Sequence, residues 1–498
     1  MQRARLICSA IFGLAVIALS FHVHREAGLT LPTPWNDEAW HAWEGHAVAE
    51  TGGVLSPEIN PDRPTIFKGH GYSYFLGLVF KLFGFSLETA RWSSWACTVA
   101  ILIGFLVLYG RMPMPWLSYP IVGAYFLGSS YVVAGNIVRE DALTIALAVA
   151  AYVLLQREQV FKAACIASLA VLVHPNGLYF LLPLLAVLVY EWVTRGVRLK
   201  RSDVVLAIVC GACVAASACL VISNWTHFMS DFFGAGLGVQ SQRDPAGSIA
   251  SPGSIVAYLW FGILFAAAYF LDRRWMIPLT FGLCCLAPPI LNQEMWYAVY
   301  RVTAFMTLIV VTVQMVALLG RRVLPATWSV APGVAGIACA LPLLVFSLKH
   351  GFIEGPRGYP ADMTWGWGMR MEEAGVPYLE QGDVDAVAGL LRLELASVAE
   401  PVAEFHNLGA DSLFFKAALQ GIQVRHRVYT EHGGHVIVFH VSRYQPSWFQ
   451  SQLLEAMTSR GVDLAQPAYV RHETEKWYIL RTSKPRGIAG QQLQNPVT

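Results

Sequence analysis

Two neighbouring carboxylates, Asp37 and Glu38, stand in an aromatic-rich segment shortly after the first apolar run of the chain. A carboxylate that is partly removed from water holds a proton more tightly and can act as a general base toward a hydroxyl group. The same pattern is typical of a helix start, where Asn36 or Asp37 would cap the helix and the acids would face its dipole. Acid–base chemistry and a helix cap both remain open for this pair, and the cap is the plainer interpretation.

Further polar residues lie between the apolar runs at a few places. Arg139, Glu140 and Asp141 follow one another directly before an apolar run, where acids at a helix start are again the simple interpretation. The other candidates are Lys68, His174 and Arg301. An arginine or lysine at the end of a span can hold a phosphate or extend to the interface, so phosphate binding and simple anchoring are both open.

The elements that must position these residues are predominantly membrane helices. Only 14% of the 498 residues are charged, against about 25% in an ordinary soluble protein. Residues 1–348 hold 38 of the 68 charged residues and residues 349–498 hold 30. A helix needs roughly 20 apolar residues to cross a bilayer. Eleven apolar runs satisfy this approximately, at 6–23, 92–110, 116–135, 142–156, 160–174, 176–193, 204–223, 254–271, 275–291, 302–320 and 326–348.

The charges between these runs predict the orientation of the chain. One set of alternate loops carries thirteen cations and four acids, and the other carries eight cations and thirteen acids. Because cytoplasmic loops are enriched in Lys and Arg, the first set and the N-terminus are predicted to be cytoplasmic. The long first outer loop, 24–91, and the C-terminal domain would then be extracytoplasmic. This layout requires residues 71–85 to form an interfacial helix that does not span the membrane.

Asp, Glu, Lys and Arg are missing from the cores of spans two to eleven and gather instead at the outer ends of helices and in the first outer loop. Ion-coupled transporters usually carry such residues near the bilayer midplane. The pattern therefore favours chemistry at the outer membrane face, while a lipid-linked sugar flippase and a non-catalytic assembly subunit remain alternatives. A net charge of +2 does not indicate nucleic-acid binding. The sequence also shows no metal-binding motif.

The C-terminal region, residues 349–498, is predicted to be a small α/β domain. Its pattern indicates helices over 383–398 and 447–458 and strands over 402–407, 421–429, 435–441 and 477–481. His432 and His435 flank two glycines, which could indicate a metal site. A β-hairpin with Gly433 and Gly434 at its tip is the favoured interpretation.

Taken in order, these features resemble the GT-C superfamily of membrane glycosyltransferases, over about residues 1–200. The acidic pair Asp37–Glu38 after the first helix, an aromatic amphipathic helix ending in Phe-Gly, Arg139 closely before Asp141, and a polar turn at His174 carry this resemblance. The protein O-mannosyltransferases and the bacterial aminoarabinose transferases that modify lipid A are the most similar branches. The resemblance implies an all-α polytopic fold with an extracytoplasmic C-terminal domain, in a bacterial plasma membrane.

The resemblance also implies an activity and roles for individual residues. The family moves a sugar from a polyprenyl phosphate to an extracytoplasmic lipid, glycan or protein acceptor. Asp37 would be the catalytic base with Glu38 as its neighbour, and Asp141 would be the second catalytic acid. The substrate-binding residues would be Lys68, Arg139, Glu140, His174 and Arg301. No cofactor is expected, although some members use a divalent cation. This chain departs from the family pattern around Lys68, at His174 in place of a lysine, and in the order Tyr300-Arg301.

Overall fold

The computed structural model of the chain describes a helical bundle followed by a smaller domain with a β-sheet. The described residues are 2–27, 36–56, 70–128, 131, 134–196, 200–226, 229, 252–292, 298–323, 364–365, 369–370, 381–405, 417, 421–426, 435–442, 447–471 and 475–482.

Twelve α-helices lie in the described part of the first 348 residues. They are α1 (Gln2–Ala27), α2 (Asn36–Thr51), α3 (Gly71–Phe83), α4 (Leu87–Gly110), α5 (Pro115–Phe126), α6 (Glu140–Leu155), α7 (Val160–Val173), α8 (Gly177–Arg195), α9 (Arg201–Ser223), α10 (Pro252–Leu271), α11 (Met276–Asn292) and α12 (Ala298–Val323). A short 3₁₀ turn, Arg273–Trp275, joins α10 to α11.

Ten of the eleven predicted spans coincide with helices, and the last, 326–348, lies outside the described residues. Within the predicted span 116–135, α5 ends at Phe126, a turn follows at Leu127 and Gly128, and residues 131, 134 and 135 are helical again. Four described helices are long and apolar enough to cross a membrane: Leu87–Gly110, Gly177–Thr194, Arg201–Ser223 and Val299–Gly320. Membrane crossing by the remaining helices stays a prediction.

A helix forms within the segment 71–85, over Gly71–Phe83. Helix α3 has 13 residues, which gives it a length of about 20 Å against a hydrocarbon core of about 30 Å. It buries Tyr72, Leu76 and Phe80 while Leu82 and Phe83 are exposed. A helix with one apolar side packed on the protein and another apolar edge exposed suits the boundary between lipid and headgroups.

Glycines allow α2 and α3 to lie very close together. A Cβ atom at Gly45 would lie 2.6 Å from Leu76 Cβ, and one at Gly77 would lie 3.1 Å from the Gly45 carbonyl oxygen. Larger residues at either position would push the two helices apart. The segment that carries the candidate carboxylates is thereby fixed on α3.

The polar turn between α7 and α8 is held in a similar way. Residues 174–176 link the two helices, and α8 begins at Gly177. A Cβ atom at Gly177 would lie 2.4 Å from both the Ala170 carbonyl carbon and the Val171 nitrogen. These are backbone atoms, so the contact fixes His174 at the end of the bundle.

The C-terminal domain has the α/β organisation that the sequence predicts. Its elements are β1 (Thr364–Trp365), β2 (Met369–Arg370), α13 (Gln381–Glu394), β3 (Val402–Phe405), β4 (Gln423–His426), β5 (Val436–Ser442), α14 (Ser447–Thr458), β6 (Tyr469–Arg471) and β7 (Glu475–Arg481). Strands β1 and β2 form an antiparallel pair, and the other five form a mixed sheet in the order β4-β3-β5-β7-β6.

The predicted hairpin between 421–429 and 435–441 is wrong. Strands β4 and β5 both pair with β3 in parallel, and β3 lies between them. A hairpin would require the two strands to be antiparallel neighbours. The antiparallel pairs are instead β5–β7 and β6–β7, and the short strand β6 was not predicted.

The C-terminal sheet and helices α2 and α3 share one continuous cluster of buried apolar side chains. Trp43 of α2 and Leu76 of α3 belong to this cluster together with Leu391 of α13, Phe405 of β3 and Trp477 of β7. The domain therefore lies at the same end of the helical bundle as α2 and α3.

The Gly177 contact predicts a specific loss of stability. We expect Gly177→Ala to destabilise the fold by about 1–3 kcal/mol, because overpacking against backbone atoms cannot be relieved by a side-chain rotation. The detergent-purified variant should unfold at a lower temperature than the wild type. Gly211→Ala is the matched control, since a Cβ there has no neighbour within 4 Å. Equal unfolding temperatures for both variants would contradict the close approach.

Candidate active site

The acidic pair lies at the beginning of α2. The helix starts at Asn36, so Asp37 lies in its first turn, as the helix-start interpretation predicts. The Asp37 side chain is outside the part of the structure that is described, and so is Lys68 as a whole. Their predicted roles as base and phosphate ligand stay predictions.

Glu38 is fully buried and forms an ion pair with Arg91 of α4. The Arg91 Nε donates to Glu38 Oε2 at 3.0 Å and Nη2 donates to Oε1 at 2.8 Å, in a two-pronged contact. The backbone N–H of Val138 donates to Glu38 Oε2 as well, at 3.0 Å. Both side chains of the pair have 0% exposure. Glu38 therefore ties α2 to α4 and to the segment before α6, and its described contacts are those of a positioning residue.

Glu140 opens α6 and lies between two histidines. Its Oε2 is 2.6 Å from His41 Nε2 of α2, and its Oε1 is 3.4 Å from His174 Nε2 in the turn between α7 and α8. The ring N–H of His41 is not aligned with the carboxylate, so this contact is close and electrostatic but does not have hydrogen-bond geometry. The backbone N–H of Asn176 donates to His174 Nδ1 at 3.0 Å.

Arg139 and Asp141 form a second ion pair beside Glu140. Arg139 Nε donates to Asp141 Oδ2 at 2.9 Å, and the two side chains are 11% and 6% exposed. The structure thus brings together Glu38, Arg139, Glu140, Asp141 and His174 from the predicted set. Arg301 lies exposed in the first turn of α12.

A second polar group supports the α2–α3 pair. The Ser73 hydroxyl of α3 donates to Glu44 Oε2 of α2 at 2.8 Å. His70, which precedes α3, is buried, and its burial lowers the pKa of the imidazole although the Glu44 carboxylate opposes the shift. The His70 ring is therefore neutral at physiological pH.

Two residues of the site were not assigned from the sequence. Arg91 is the last residue of the predicted first outer loop. No local pattern in the sequence shows that it pairs with an acid 53 residues earlier. His41 belongs to the same aromatic segment as the acidic pair, and it follows Asp37 by four residues. That spacing places both on one face of a helix, which was a usable signal.

No group of three or more His, Cys, Asp or Glu side chains within the described ranges has an arrangement suited to a metal ion. The expectation about a divalent cation stays a prediction, since the side chain of Asp37 lies outside the described residues.

The buried pair of Glu38 and Arg91 predicts that removing one partner destabilises the protein much more than removing both. Arg91→Met leaves Glu38 buried without its guanidinium, which costs about 3–5 kcal/mol. We expect little folded protein in size-exclusion chromatography of this variant. The double variant Glu38→Met with Arg91→Met should recover folded protein, because it removes both charges. Arg274→Met is the control: its exposed pair with Asp272, at 2.9 Å, contributes at most about 1 kcal/mol. Normal folding of Arg91→Met alone would contradict the proposed importance of the pair.

Comparisons with known proteins identify the fold. No protein-family model matches the chain, and no curated protein matches it. The crystal structure of ArnT from Cupriavidus metallidurans bound to undecaprenyl phosphate is similar with a TM-score of 0.55 and 14% identity, covering 97% of this chain and 99% of that one. The apo form of the same protein gives a TM-score of 0.54 and 13% identity, covering 96% and 98%.

The similarity extends over nearly the whole of both chains, including the C-terminal domain, whereas the sequence features covered about residues 1–200. ArnT is an aminoarabinose lipid A transferase with a GT-C fold. At this level of identity the comparison concerns the fold. The chain therefore has an ArnT-like fold, in agreement with the fold that the sequence resemblance implies.

Proposed function

We propose that this protein is a membrane glycosyltransferase that moves a sugar from a polyprenyl-phosphate donor to an extracytoplasmic lipid, glycan or protein acceptor. One observation carries the proposal: the fold matches, over 97% of the chain, a protein whose structure contains undecaprenyl phosphate. The buried acidic and basic residues at one end of the bundle support it, because sugar transfer needs both a base and cations.

The reaction would be a single displacement at C1 of the sugar. The lipid phosphate leaves with a negative charge, which Lys68 and Arg301 would stabilise electrostatically. Asp37 would take the proton of the acceptor hydroxyl on the opposite face, which inverts the configuration at C1 as in other inverting sugar chemistry. A carboxylate and cations are sufficient for these steps.

The contacts of the neighbouring acids suggest a division of roles. Glu38 is enclosed by Arg91 and the Val138 amide, so it would orient the first turn of α2 and thereby Asp37. Arg139 and Asp141 form their own ion pair beside Glu140, and in this proposal they would contact the substrate. The predicted catalytic role of Glu38 becomes, in this proposal, an indirect one.

The charge distribution of the loops supports an extracytoplasmic site. The acid-rich loops hold Asp37, Glu140 and Asp141, and cytoplasmic loops are the cation-rich ones. The C-terminal domain lies at the same end of the bundle as α2 and α3. We therefore propose a multi-pass protein of the bacterial plasma membrane, with a cytoplasmic N-terminus and both the site and the C-terminal domain outside.

The central prediction concerns Asp37. Asp37→Asn keeps the size of the side chain but removes its basicity, so sugar transfer should fall by about 10²–10⁴-fold. Purified protein would be incubated with radiolabelled undecaprenyl-phosphate sugars and membranes, and label on the acceptor would be counted. Glu50→Gln is the control, because Glu50 is an exposed carboxylate at the other end of α2. An Asp37→Asn variant as active as wild type would rule out Asp37 as the base.

A second prediction separates donor binding from anchoring at Arg301. If Arg301 holds the lipid phosphate, Arg301→Gln should weaken binding of undecaprenyl phosphate about tenfold or more, since a charged hydrogen bond is lost. Arg273→Gln is the matched control, since Arg273 is an exposed arginine in a predicted cytoplasmic turn. Equal affinities for the two variants would assign Arg301 to simple anchoring.

A further inference from the structure

The described contacts of Glu140 join three separate parts of the chain. His41 comes from α2, Glu140 from the start of α6 and His174 from the turn after α7. The side chains of the three residues are 5%, 1% and 10% exposed in that order. Polar groups buried together in this way are costly unless each stabilises another.

The position of the proton on His174 follows from its backbone contact. The Asn176 N–H donates to His174 Nδ1, so this nitrogen carries the lone pair. The proton of the neutral ring is therefore on Nε2, which faces Glu140 Oε1 at 3.4 Å. His174 thus presents an N–H toward Glu140, in a close contact that, like the one with His41, does not have hydrogen-bond geometry.

The ionised carboxylate in turn acts on His41. Its Oε2 lies 2.6 Å from His41 Nε2, so the proton of the neutral His41 ring is favoured on Nε2. The other nitrogen, Nδ1, then carries the lone pair on the far side of the ring. A carboxylate behind an imidazole stabilises the imidazolium that forms when this lone pair takes a proton, as in hydrolase triads. The poor alignment of the pair is common in substrate-free sites.

His41 is also correctly placed along α2 for proton transfer. Asp37 and His41 are four residues apart on α2, and positions at this spacing lie on the same face of a helix. The His41 ring packs edge-on against Tyr72 of α3, with 5.1 Å between ring centroids. This contact holds the His41 ring in place, one helical turn after the predicted base.

We propose that His41 is the proton-accepting partner of Asp37, and that Glu140 and His174 are positioning residues for His41. This inference rests on the proposed function.

The acceptor oxygen forms its bond to C1 as the C1–O bond to the phosphate breaks, and the phosphate keeps the electron pair. The acceptor proton passes to the Asp37 carboxylate and then to His41 Nδ1, and the imidazolium finally releases it to water. The predicted substrate-binding roles of Glu140 and His174 are thereby replaced.

The surrounding charges are compatible with this role. Among the described residues, Glu38 is paired with Arg91, and Asp141 is paired with Arg139. The described ionic contacts of Glu140 are with imidazoles. The other titratable or charged groups on the helices around His41 are Asp37, Glu44, His46 and Glu50 on its own helix, Tyr72, Tyr74 and Lys81 on α3, Glu88, Cys97 and Tyr109 on α4, and Tyr152 on α6, together with His70 before α3.

Chemical rescue tests the proposal directly. His41→Ala should lower sugar transfer by about 10²-fold or more, and added imidazole should restore activity about tenfold by occupying the vacated space. His46→Ala is the matched control: His46 is on the same helix and stacks on Phe85 at 4.3 Å. Its activity should show no response to imidazole. A folded His41→Ala variant that is fully active, or that imidazole does not rescue, would overturn the proposal.

A second variant covers the case in which His41→Ala does not fold. Glu140→Gln is nearly isosteric and removes the charge that stabilises the imidazolium. The kcat for sugar transfer should therefore fall about tenfold or more while the KM for the donor stays unchanged, because the charge acts on proton transfer and not on donor binding. An unchanged kcat, or a loss confined to KM, would contradict the proposal. Absence of sugar transfer by the wild type itself would instead contradict the proposed function.

Discussion

The buried ion pair between Glu38 and Arg91 is the constraint on which the candidate site depends. Two opposite charges withdrawn from water are tolerated only when their hydrogen-bonding groups are well satisfied. Here a two-pronged contact and the Val138 amide hold the carboxylate. Because this single group joins α2, α4 and the segment before α6, it fixes the relative positions of the Asp37 turn and of residues 139–141. The chemistry proposed for the site requires that geometry.

Close helix packing completes the frame around this pair. The contact between Gly45 and Gly77 brings α3 against α2, and Gly177 brings the start of α8 against the backbone of α7. These contacts place His41 and His174 on either side of Glu140. The described residues around Glu140 therefore form the frame of the site, and this frame positions the first turn of α2.

Much of the fold could be predicted because long apolar runs and charge asymmetry are local signals. Helices α1, α4 and α6–α12 follow from them, and α3 from its length and aromatic residues. Pairings between distant residues have no such signal. Glu38 and Arg91 are 53 residues apart, and His41 and Glu140 are farther apart still. The incorrect hairpin has the same cause, since a turn pattern at Gly433 does not identify which strand each neighbour pairs with.

A doubly labelled donor gives the most direct test of sugar transfer. Undecaprenyl-phosphate sugar, labelled with one isotope in the sugar and another in the lipid, would be reconstituted with the purified protein and native membrane acceptors. We expect the two labels to separate, with the sugar bound covalently to the acceptor and the lipid recovered as undecaprenyl phosphate. Movement of the intact donor across the bilayer with both labels still joined would contradict a transferase and indicate a transporter.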